Sequence, residues 1–400
     1  MKKNSIDNRI DYSLILPVFL LLIIGVVAIY VSVHHDYPNK LGIVMAQQVA
    51  WLVLGVVISF VVMLFPTKFL WRITPILYLF GLFLMVLPLI FYSPSLYAST
   101  GAKNWVTINN MTLFQPSEFM KLSYILMLAR ALVIFQQKKE DEGLSTDFRL
   151  LGLMSLITAP VLFLLFLQKD LGTALVFMAI FAGLVLVSGV SWKIILSVLG
   201  LAVTAVTVFL VIFLMPNGKE FLSDIGMDTY QINRISAWLN PFEYADTVTF
   251  QQAQGLIAIG SGGLLGKGFN QIELAIPVRE SDMIFTVIAE NFGFLGSSVV
   301  LGLYLLLIYR MVRVTFESNN RFYTYISTGF IMMILFHIFE NIGAAVGILP
   351  LTGIPLPFIS QGGSAMISNL IGVGLVLSMA YQNNLAEEKQ MQSQLRRSWR

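Results

Sequence analysis

The sequence contains no cysteine, and this absence excludes disulfide bonds, thiolate nucleophiles and cysteine-ligated metals. Histidine is nearly as rare: His34, His35 and His337 are the full set, and their spacing matches no metal-binding motif. Charge is also scarce, with 12% of residues charged against about 25% in soluble domains. The net charge of +3 is too small to indicate a nucleic-acid partner.

Long apolar runs dominate what the sequence does contain. Hydrophobic residues make up 57% of the chain and its mean hydropathy is +0.79, which indicates a polytopic membrane protein. Runs long enough to cross about 30 Å of hydrocarbon lie near 12–33, 43–65, 73–93, 114–136, 150–167, 171–188, 192–215, 282–308, 322–349 and 361–382. We therefore predict an all-α integral membrane protein with ten transmembrane helices, folded as a single polytopic domain over residues 1–400. The first span is expected to be a retained signal anchor.

Basic residues are distributed unevenly between the two sets of loops that these spans define. With the N-terminus inside, most of the 25 Lys and Arg residues fall on the cytoplasmic side, so both termini are predicted to be cytoplasmic. The outer face then carries two longer segments, about 94–113 and, between helices 7 and 8, about 216–281. The second contains helix-like pieces at Thr229–Trp238 and Phe250–Ile259, which favour order. Because ordered loops of this length are usually functional, we expect the chemistry on the outer face.

A glycine-rich stretch, Gly260–Gly268, resembles a nucleotide-binding loop at first sight. A Walker loop needs glycine five residues before its Gly-Lys pair and Ser or Thr after the lysine, where this chain has Ser261 and Gly268. The Rossmann glycine pattern fails at Leu265. ATP-driven transport therefore has no support in the sequence, and zinc hydrolysis has none either.

Charged residues near the outer ends of the spans carry the functional information. Asp282 closes the longest polar stretch, directly before an apolar run, where a carboxylate can meet both lipid and water. Glu118 and Lys121 are three residues apart on the fourth span, so they share one side of the helix. Two interpretations stay open: a self-neutralising pair that locks two helices, or a pair that lines a substrate cavity. Asp170 opens the sixth span in a similar position.

Three further polar features lie within or beside the spans. Glu290 follows Asp282 by eight residues and is predicted about 12 Å deeper on the same helix face. His337 and Glu340 are three residues apart, and a hydrogen-bonded structural pair is the favoured interpretation. The proline- and glycine-rich stretch at 349–364 is incompatible with a regular helix. At membrane depth such backbone must be surrounded by protein or line a cavity.

Six short motifs together give the chain a family resemblance over essentially its whole length. They are Gly101–Trp105, Gln115–Leu122, Gln168–Thr173, Ala258–Gly263, Ser281–Phe285 and the 349–364 stretch. The chain resembles the SEDS family (shape, elongation, division and sporulation) of bacterial cell-wall synthesis, and within it the elongation-type members. It departs from the usual family pattern at Val278, Ser281, Met283 and Gln361, while the aspartate is intact.

The resemblance implies a peptidoglycan glycosyltransferase of the bacterial cytoplasmic membrane that polymerises lipid II into glycan strands. It also implies ten spans, a large outer loop between spans seven and eight, an essential acidic role for Asp282 and a functional role for Trp105. The implied partners are a class B penicillin-binding protein, which cross-links the product, and other membrane proteins of the elongation machinery.

The chemistry of glycosyl transfer suits these residues. A polyprenyl-pyrophosphate donor requires a base near the acceptor hydroxyl and positive charge on the leaving pyrophosphate. Asp282 is the candidate catalytic base; Lys121, Arg234 and Arg279 are candidates for the pyrophosphate, and a divalent cation, Mg²⁺ or Mn²⁺, is compatible with that role. Trp105 is either a sugar-stacking platform or an interfacial anchor. The predicted substrate-binding residues are Trp105, Glu118, Lys121, Asp170, Arg234, Arg279, Glu290, Ser360 and Ser364.

Two other functions compete with the enzyme. A lipid II flippase needs polar groups within reach of both leaflets, and only Glu290 and Glu340 favour it. A non-catalytic scaffold for the penicillin-binding protein does not need Asp282 or the Glu118–Lys121 pair. We therefore predict the enzyme.

Overall fold

Helices make up most of the computed structural model, which describes residues 9–109, 111–138, 143–227, 229–242, 250–318 and 320–398. The helices are, in chain order, α1 (Tyr12–Asp36), α2 (Leu41–Met63), α3 (Thr67–Ile90), α4 (Pro94–Thr100), α5 (Pro116–Gln137), α6 (Leu144–Gln168), α7 (Leu171–Val187), α8 (Trp192–Leu214), α9 (Gly218–Asp224), α10 (Thr229–Leu239), α11 (Phe250–Gly262), α12 (Ile284–Glu317), α13 (Arg321–Ala345) and α14 (Gly363–Ser398). Each predicted span therefore coincides with a helix, and the all-helical membrane architecture is confirmed.

Eight of the described helices are long and apolar enough to cross a membrane: α1, α2, α3, α6, α8, α12, α13 and α14. Of the two remaining predicted spans, α7 has only 17 residues, and α5 carries Glu118, Lys121 and Arg130. The count of ten crossing helices, the cytoplasmic termini and the outer placement of the large loop stay predictions.

The most buried of these spans are α13 and α14, whose apolar windows are 61% and 72% buried, whereas that of α8 has no buried residue. The first turn of α8 packs on the main core through Ile194 and Ile195. Its other end packs through Phe213 on a small cluster with α9 and α10. Between these two ends, the apolar middle of α8 is exposed.

A break divides α12 at Gly293, whose φ of 61° and ψ of −156° are not helical. The glycine-rich loop after α11 fills this break and bonds the backbone groups that the helix leaves unpaired. Its four hydrogen bonds are Lys267 N to Glu290 O at 2.9 Å, Gly268 N to Asn291 O at 3.1 Å, Phe294 N to Gly263 O at 2.9 Å and Leu295 N to Leu264 O at 3.1 Å. The role of the Gly260–Gly268 stretch is therefore structural, and the stretch is not a nucleotide-binding loop.

Glycine is required in this loop because two backbones meet there without room for a side chain. A Cβ at Gly262 would lie 2.0 Å from the carbonyl oxygen of Ala289, and one at Gly266 would lie 2.1 Å from that of Asn291. Gly266 also has a φ of +80°, a left-handed conformation that glycine adopts without strain. The loop consequently fixes the first turns of α12, which follow Asp282.

The two long segments between spans are ordered where they are described. A hairpin of β1 (Val106–Ile108) and β2 (Met111–Phe114) follows α4, and its Thr107 amide donates at 2.9 Å to the carbonyl oxygen of Phe91, the residue after α3. In the second segment, α10 and α11 confirm the predicted helical pieces to within a few residues. From α10, Arg234 and Trp238 donate side-chain hydrogen bonds to the carbonyls of Leu351 and Gly347, so this helix lies over the proline-rich stretch.

Candidate active site

Asp282 lies in a tight turn that ends two residues before α12 begins. The backbone amides of Ser281 and Asp282 both donate to the carbonyl oxygen of Val278, at 3.2 and 3.3 Å. Val278 has a φ of +52°, a strained conformation for a β-branched residue. Such strain persists where the surrounding structure enforces it, commonly at functional sites. The Ser281 hydroxyl donates to Oδ1 of Asp282 at 2.9 Å and sets the orientation of the carboxylate.

Hydrogen bonds from α13 and from the proline-rich stretch hold this turn in place. Asn341 donates through Nδ2 to the backbone carbonyls of Asp282 and Ile354, each at 2.8 Å. The Ser360 hydroxyl donates to the carbonyl oxygen of Ser281 at 2.6 Å. The adjacent Gln361 amide donates to that of Glu280 at 2.9 Å. The predicted non-helical stretch therefore acts as a clamp on the backbone around Asp282.

Asp282 as a whole residue is only partly buried, although protein packs densely around its carboxylate. Its Oδ2 points toward Gly353, where a Cβ would lie 3.3 Å away. This burial raises the pKa of Asp282, while the Ser281 hydrogen bond and the charge of Arg234 oppose the rise. An aspartate with a raised pKa is a stronger base than an ordinary one once it is ionised.

Glu340 lies on α13 within the electrostatic range of both Asp282 and Arg234. Its Oε1 accepts hydrogen bonds from the backbone amide and the hydroxyl of Thr352. The predicted hydrogen bond between His337 and Glu340 is not formed, because each side chain binds a different partner. Two acidic groups and one arginine therefore surround the part of the chain where α10, α13 and the clamp meet.

Glu118, Lys121 and His337 form a buried polar triad between α5 and α13. The ammonium of Lys121 lies 2.8 Å from Oε1 of Glu118 and 3.0 Å from Nε2 of His337. The other ring nitrogen of His337 lies 2.6 Å from the carbonyl oxygen of Met333. This geometry assigns the proton to Nδ1, which donates to Met333, and leaves Nε2 to accept from Lys121. The ion pair thus has a third member that the sequence spacing did not indicate.

Several buried polar atoms near this triad have no hydrogen-bond partner among the described residues: Ser117 Oγ, Glu118 Oε2 and Asn369 Oδ1. They lie where the start of α5 meets α14, since the Ser368 hydroxyl donates to the carbonyl oxygen of Glu118 at 2.8 Å. Leaving a buried polar atom unpaired costs about 1–3 kcal/mol. A ligand with hydroxyl or amide donors would satisfy these atoms.

Arg279 is completely buried, and the protein itself engages all three of its nitrogens. Nε donates to the Thr286 hydroxyl at 3.1 Å, Nη1 to the carbonyl oxygen of Leu274 at 3.0 Å, and Nη2 to Oε2 of Glu290. Oε1 of Glu290 in turn accepts from Lys267 at 3.0 Å. This network joins the Asp282 turn to the loop that fills the α12 break, so Arg279 and Glu290 fix the position of the turn.

Asp170 and Trp105 belong to a second cluster, formed by the start of α7 and the segment before the hairpin. Asp170 caps α7 by accepting from the Thr173 amide at 3.0 Å, and its Oδ2 accepts from Asn104 Nδ2 at 2.9 Å. The next residue, Trp105, is half-buried at the start of the hairpin. Asp170 therefore positions the segment that carries Trp105. Ser364 lies elsewhere, at the start of α14. Its hydroxyl accepts from the backbone amide of Gln115 at 3.1 Å and holds the start of α5.

Comparison with known proteins identifies the family. The family model of the FtsW/RodA/SpoVE cell cycle proteins matches residues 12–385. The chain belongs to this family. It is 31% identical over 386 residues to the peptidoglycan glycosyltransferase MrdB of Escherichia coli K12, covering 94% of this chain and 95% of that protein. It is 30% identical over 381 residues to stage V sporulation protein E of Bacillus subtilis, covering 92% of this chain and 96% of that protein.

Solved structures share the fold of this chain. A chain from a study of how a peptidoglycan synthase complex coordinates polymerisation and crosslinking matches with a TM-score of 0.73 and 28% identity, covering 94% of this chain and 98% of its own. The rod shape determining protein RodA of Thermus thermophilus matches with a TM-score of 0.63 and 27% identity, covering 93% and 96%. The chain is therefore a multi-pass glycosyltransferase of the cytoplasmic membrane.

Within this family member, the structure groups only part of the residues predicted from sequence. Asp282, Arg234 and Ser360 lie around one turn, whereas Glu118 and Lys121 form a separate buried triad with His337. Sequence reasoning missed Asn341, although it lies one residue after Glu340 and one turn after His337. That clustering of polar residues on an otherwise apolar span was the available signal.

The described residues contain no group of three or more His, Asp or Glu side chains that is placed to hold a metal ion. A divalent cation at this site stays a prediction. The pyrophosphate oxygens of a bound substrate would supply part of its coordination.

Proposed function

We propose that this chain polymerises lipid II into glycan strands on the outer face of the cytoplasmic membrane, with Asp282 as the general base. The reaction forms a glycosidic bond between an acceptor hydroxyl and the anomeric carbon of a polyprenyl-pyrophosphate donor. The bond between that carbon and the pyrophosphate oxygen breaks, the pyrophosphate leaves with the electron pair, and Asp282 receives the hydroxyl proton.

The proposal rests on the position and the orientation in which the protein holds Asp282. Its backbone is clamped by Asn341 and its side chain is oriented by Ser281, yet the residue stays partly exposed. A fixed carboxylate with a raised pKa meets the two requirements of a general base, which are position and basicity. Neither a scaffold nor a structural cap requires such an arrangement.

Arg234 is the proposed cation for the leaving pyrophosphate, because it acts electrostatically on Asp282 and Glu340 from the helix that covers them. Lys121 is the second candidate, and it would have to exchange part of its contact with Glu118 for the substrate. We assign Arg279 and Glu290 a positioning role, since they bind each other in the interior. Ser360 supports the site by holding the Asp282 turn, whereas the substrate-binding roles of Trp105, Asp170 and Ser364 stay predictions; Mg²⁺ or Mn²⁺ would act on the pyrophosphate.

The exposed apolar middle of α8 suits a lipid-linked substrate, because a polyprenyl chain has the same chemistry and could lie along this helix within the bilayer. The proposal includes ten spans with cytoplasmic termini, which place Asp282 at the outer surface.

The proposal also includes an elongation role and a crosslinking partner. The solved relative with a TM-score of 0.73 comes from a complex that joins polymerisation to crosslinking. By analogy, we propose that a class B penicillin-binding protein and other membrane proteins of the elongation machinery bind this chain. Co-purification of the penicillin-binding protein with the wild-type chain and with Asp282→Asn tests the partner independently of catalysis.

The test of the function is polymerisation of lipid II by the purified protein. We expect wild type and Glu220→Gln, which changes an exposed acid on the same outer segment, to produce glycan strands, and Asp282→Asn to produce none. A flippase is the alternative, because a broken helix and buried charges also occur in transporters. Lipid II transport across vesicles without polymerisation, unaffected by Asp282→Asn, would establish that alternative.

A further inference from the structure

A cavity of about 630 Å³ lies between the ends of α3, α5 and α13, and none of its lining residues belongs to the Asp282 turn or to its clamp. It is lined by Lys68, Trp71 and Arg72 from the first turns of α3, and by Arg130 from the last turns of α5. Glu118 opens α5 and Arg130 lies 12 residues later, a rise of about 18 Å, so the cavity lies at the opposite membrane face. The bias of Lys and Arg predicts that this face is cytoplasmic.

Three cations face this cavity, and two of them are uncompensated. Lys68 and Arg72 are four residues apart on one side of α3, both are exposed, and within the described ranges neither forms an ion pair. Arg130 is held in place: its Nη1 donates to the carbonyl oxygen of Trp71 and its guanidinium lies 5.0 Å from the Trp71 ring centre. The Trp71 ring packs edge-on against Phe322 at 5.0 Å, so the cavity wall is rigid and apolar behind the charges.

The cavity continues into a lipid-facing strip along α3. Ile76 lines the cavity and is 65% exposed; Leu79 and Phe83, which continue the same helix face, are 65% and 61% exposed. From Arg72 to Phe83 the helix rises about 16 Å, which matches one leaflet, half of the roughly 30 Å hydrocarbon core. The helix therefore presents cations at the headgroup level and an apolar row one acyl chain deep.

We propose that this cavity binds one anionic phospholipid of the inner leaflet. Its phosphodiester lies between Lys68, Arg72 and Arg130, and one acyl chain lies along Ile76, Leu79 and Phe83. Basic pockets between transmembrane helices on the cytoplasmic side are suited to such headgroups. A zwitterionic lipid lacks the net negative charge that three cations require, and a soluble phosphate would leave the apolar row without an occupant. The site is independent of the polymerase chemistry.

The test is native mass spectrometry of the full chain with dioleoyl-phosphatidylglycerol, dioleoyl-phosphatidylcholine or glycerol phosphate. The variant is Lys68→Gln with Arg72→Gln, which removes two exposed cations and keeps Arg130, so the fold is retained. The matched control is Arg149→Gln with Lys193→Gln, two exposed cations at the starts of α6 and α8, on the same predicted face but outside the cavity.

We expect wild type and control to retain phosphatidylglycerol in preference to phosphatidylcholine, and the cavity variant to bind it about tenfold more weakly. The same lipid should raise the thermal unfolding temperature of wild type and control more than that of the cavity variant. If variant and control bind phosphatidylglycerol equally weakly, general surface charge explains the binding, and the proposal is overturned. Equal retention of both lipids, or binding of glycerol phosphate as tight as that of the lipid, would overturn it as well.

Discussion

The side-chain amide of Asn341 lies 2.8 Å from the backbone carbonyl oxygen of Asp282 and joins the last turns of α13 to the turn that carries the carboxylate. The same nitrogen lies 2.8 Å from the carbonyl oxygen of Ile354, so one group aligns the turn with the proline-rich clamp. Neither bond involves the carboxylate itself. Asn341 therefore positions the base without altering its chemistry.

Replacement of Asn341 by alanine should lower kcat for lipid II polymerisation, because the backbone that carries Asp282 loses its anchor. The pH dependence should stay unchanged, because Asn341 makes no contact with the carboxylate. Loss of two buried hydrogen bonds should also lower the free energy of unfolding by about 1–3 kcal/mol. Asn384→Ala is the matched control, since Asn384 makes a similar bond to the carbonyl oxygen of Arg9 away from the site. A shifted pH profile in Asn341→Ala, or an equal loss of kcat in the control, would contradict a positioning role.

Asp282→Asn should make the protein more stable at neutral pH while it abolishes activity. Burial raises the pKa of Asp282 in the folded protein above its usual 3.8, so the folded state binds this proton more tightly than the unfolded chain. The free energy of unfolding therefore falls as the pH rises from the ordinary pKa of aspartate to the raised pKa of Asp282. Above both values the full destabilisation is present. Asparagine removes the ionisation and keeps an oxygen for the Ser281 hydroxyl. Thermal unfolding in detergent at acid and neutral pH measures this; a variant less stable than wild type at neutral pH would contradict it.

Removal of Lys121 alone should destabilise the protein strongly, because it leaves the Glu118 charge buried without a partner. Breaking a buried ion pair on one side costs about 3–5 kcal/mol. The double variant Glu118→Gln with Lys121→Met removes both charges and should recover most of that stability. If the pair also contacts substrate, the double variant folds but polymerises poorly. A double variant with full activity would reduce the pair to a structural role.

Gly262→Ala should disrupt the packing of α11 on the broken helix, because its Cβ would lie 2.0 Å from the carbonyl oxygen of Ala289. Gly260→Ala is the matched control on the same helix, where a Cβ meets nothing within 4 Å. The control should be neutral or more stable by up to about 1 kcal/mol, the difference in helix propensity between the two residues. Comparable unfolding temperatures for the two variants would show that the loop is not tightly fitted into the α12 break.

The spans could be predicted because the thickness of the bilayer fixes the length of an apolar run, and Asp282 because charge is costly at a membrane edge. The break at Gly293 has no signal in hydropathy, since it depends on the docking of a loop from the preceding segment. Spacing suggested Glu340 as the partner of His337, but the packing of α5 on α13 brings in Lys121, 216 residues away. Arg279 looked available for substrate in the sequence, and only the folded turn shows that it binds Glu290.

The most direct test of the account is the pH dependence of glycan formation from lipid II by wild type and by Asp282→Asn, measured under identical conditions. For wild type, the rate should rise with pH through a single deprotonation whose pKa lies above the usual 3.8 of an aspartate, because burial of Asp282 raises its pKa. For the Asn variant, the rate should be at least about a hundredfold lower and should lack that acid limb. An Asn variant that polymerises at nearly the wild-type rate, with the acid limb intact, would contradict the assignment of Asp282 as the base.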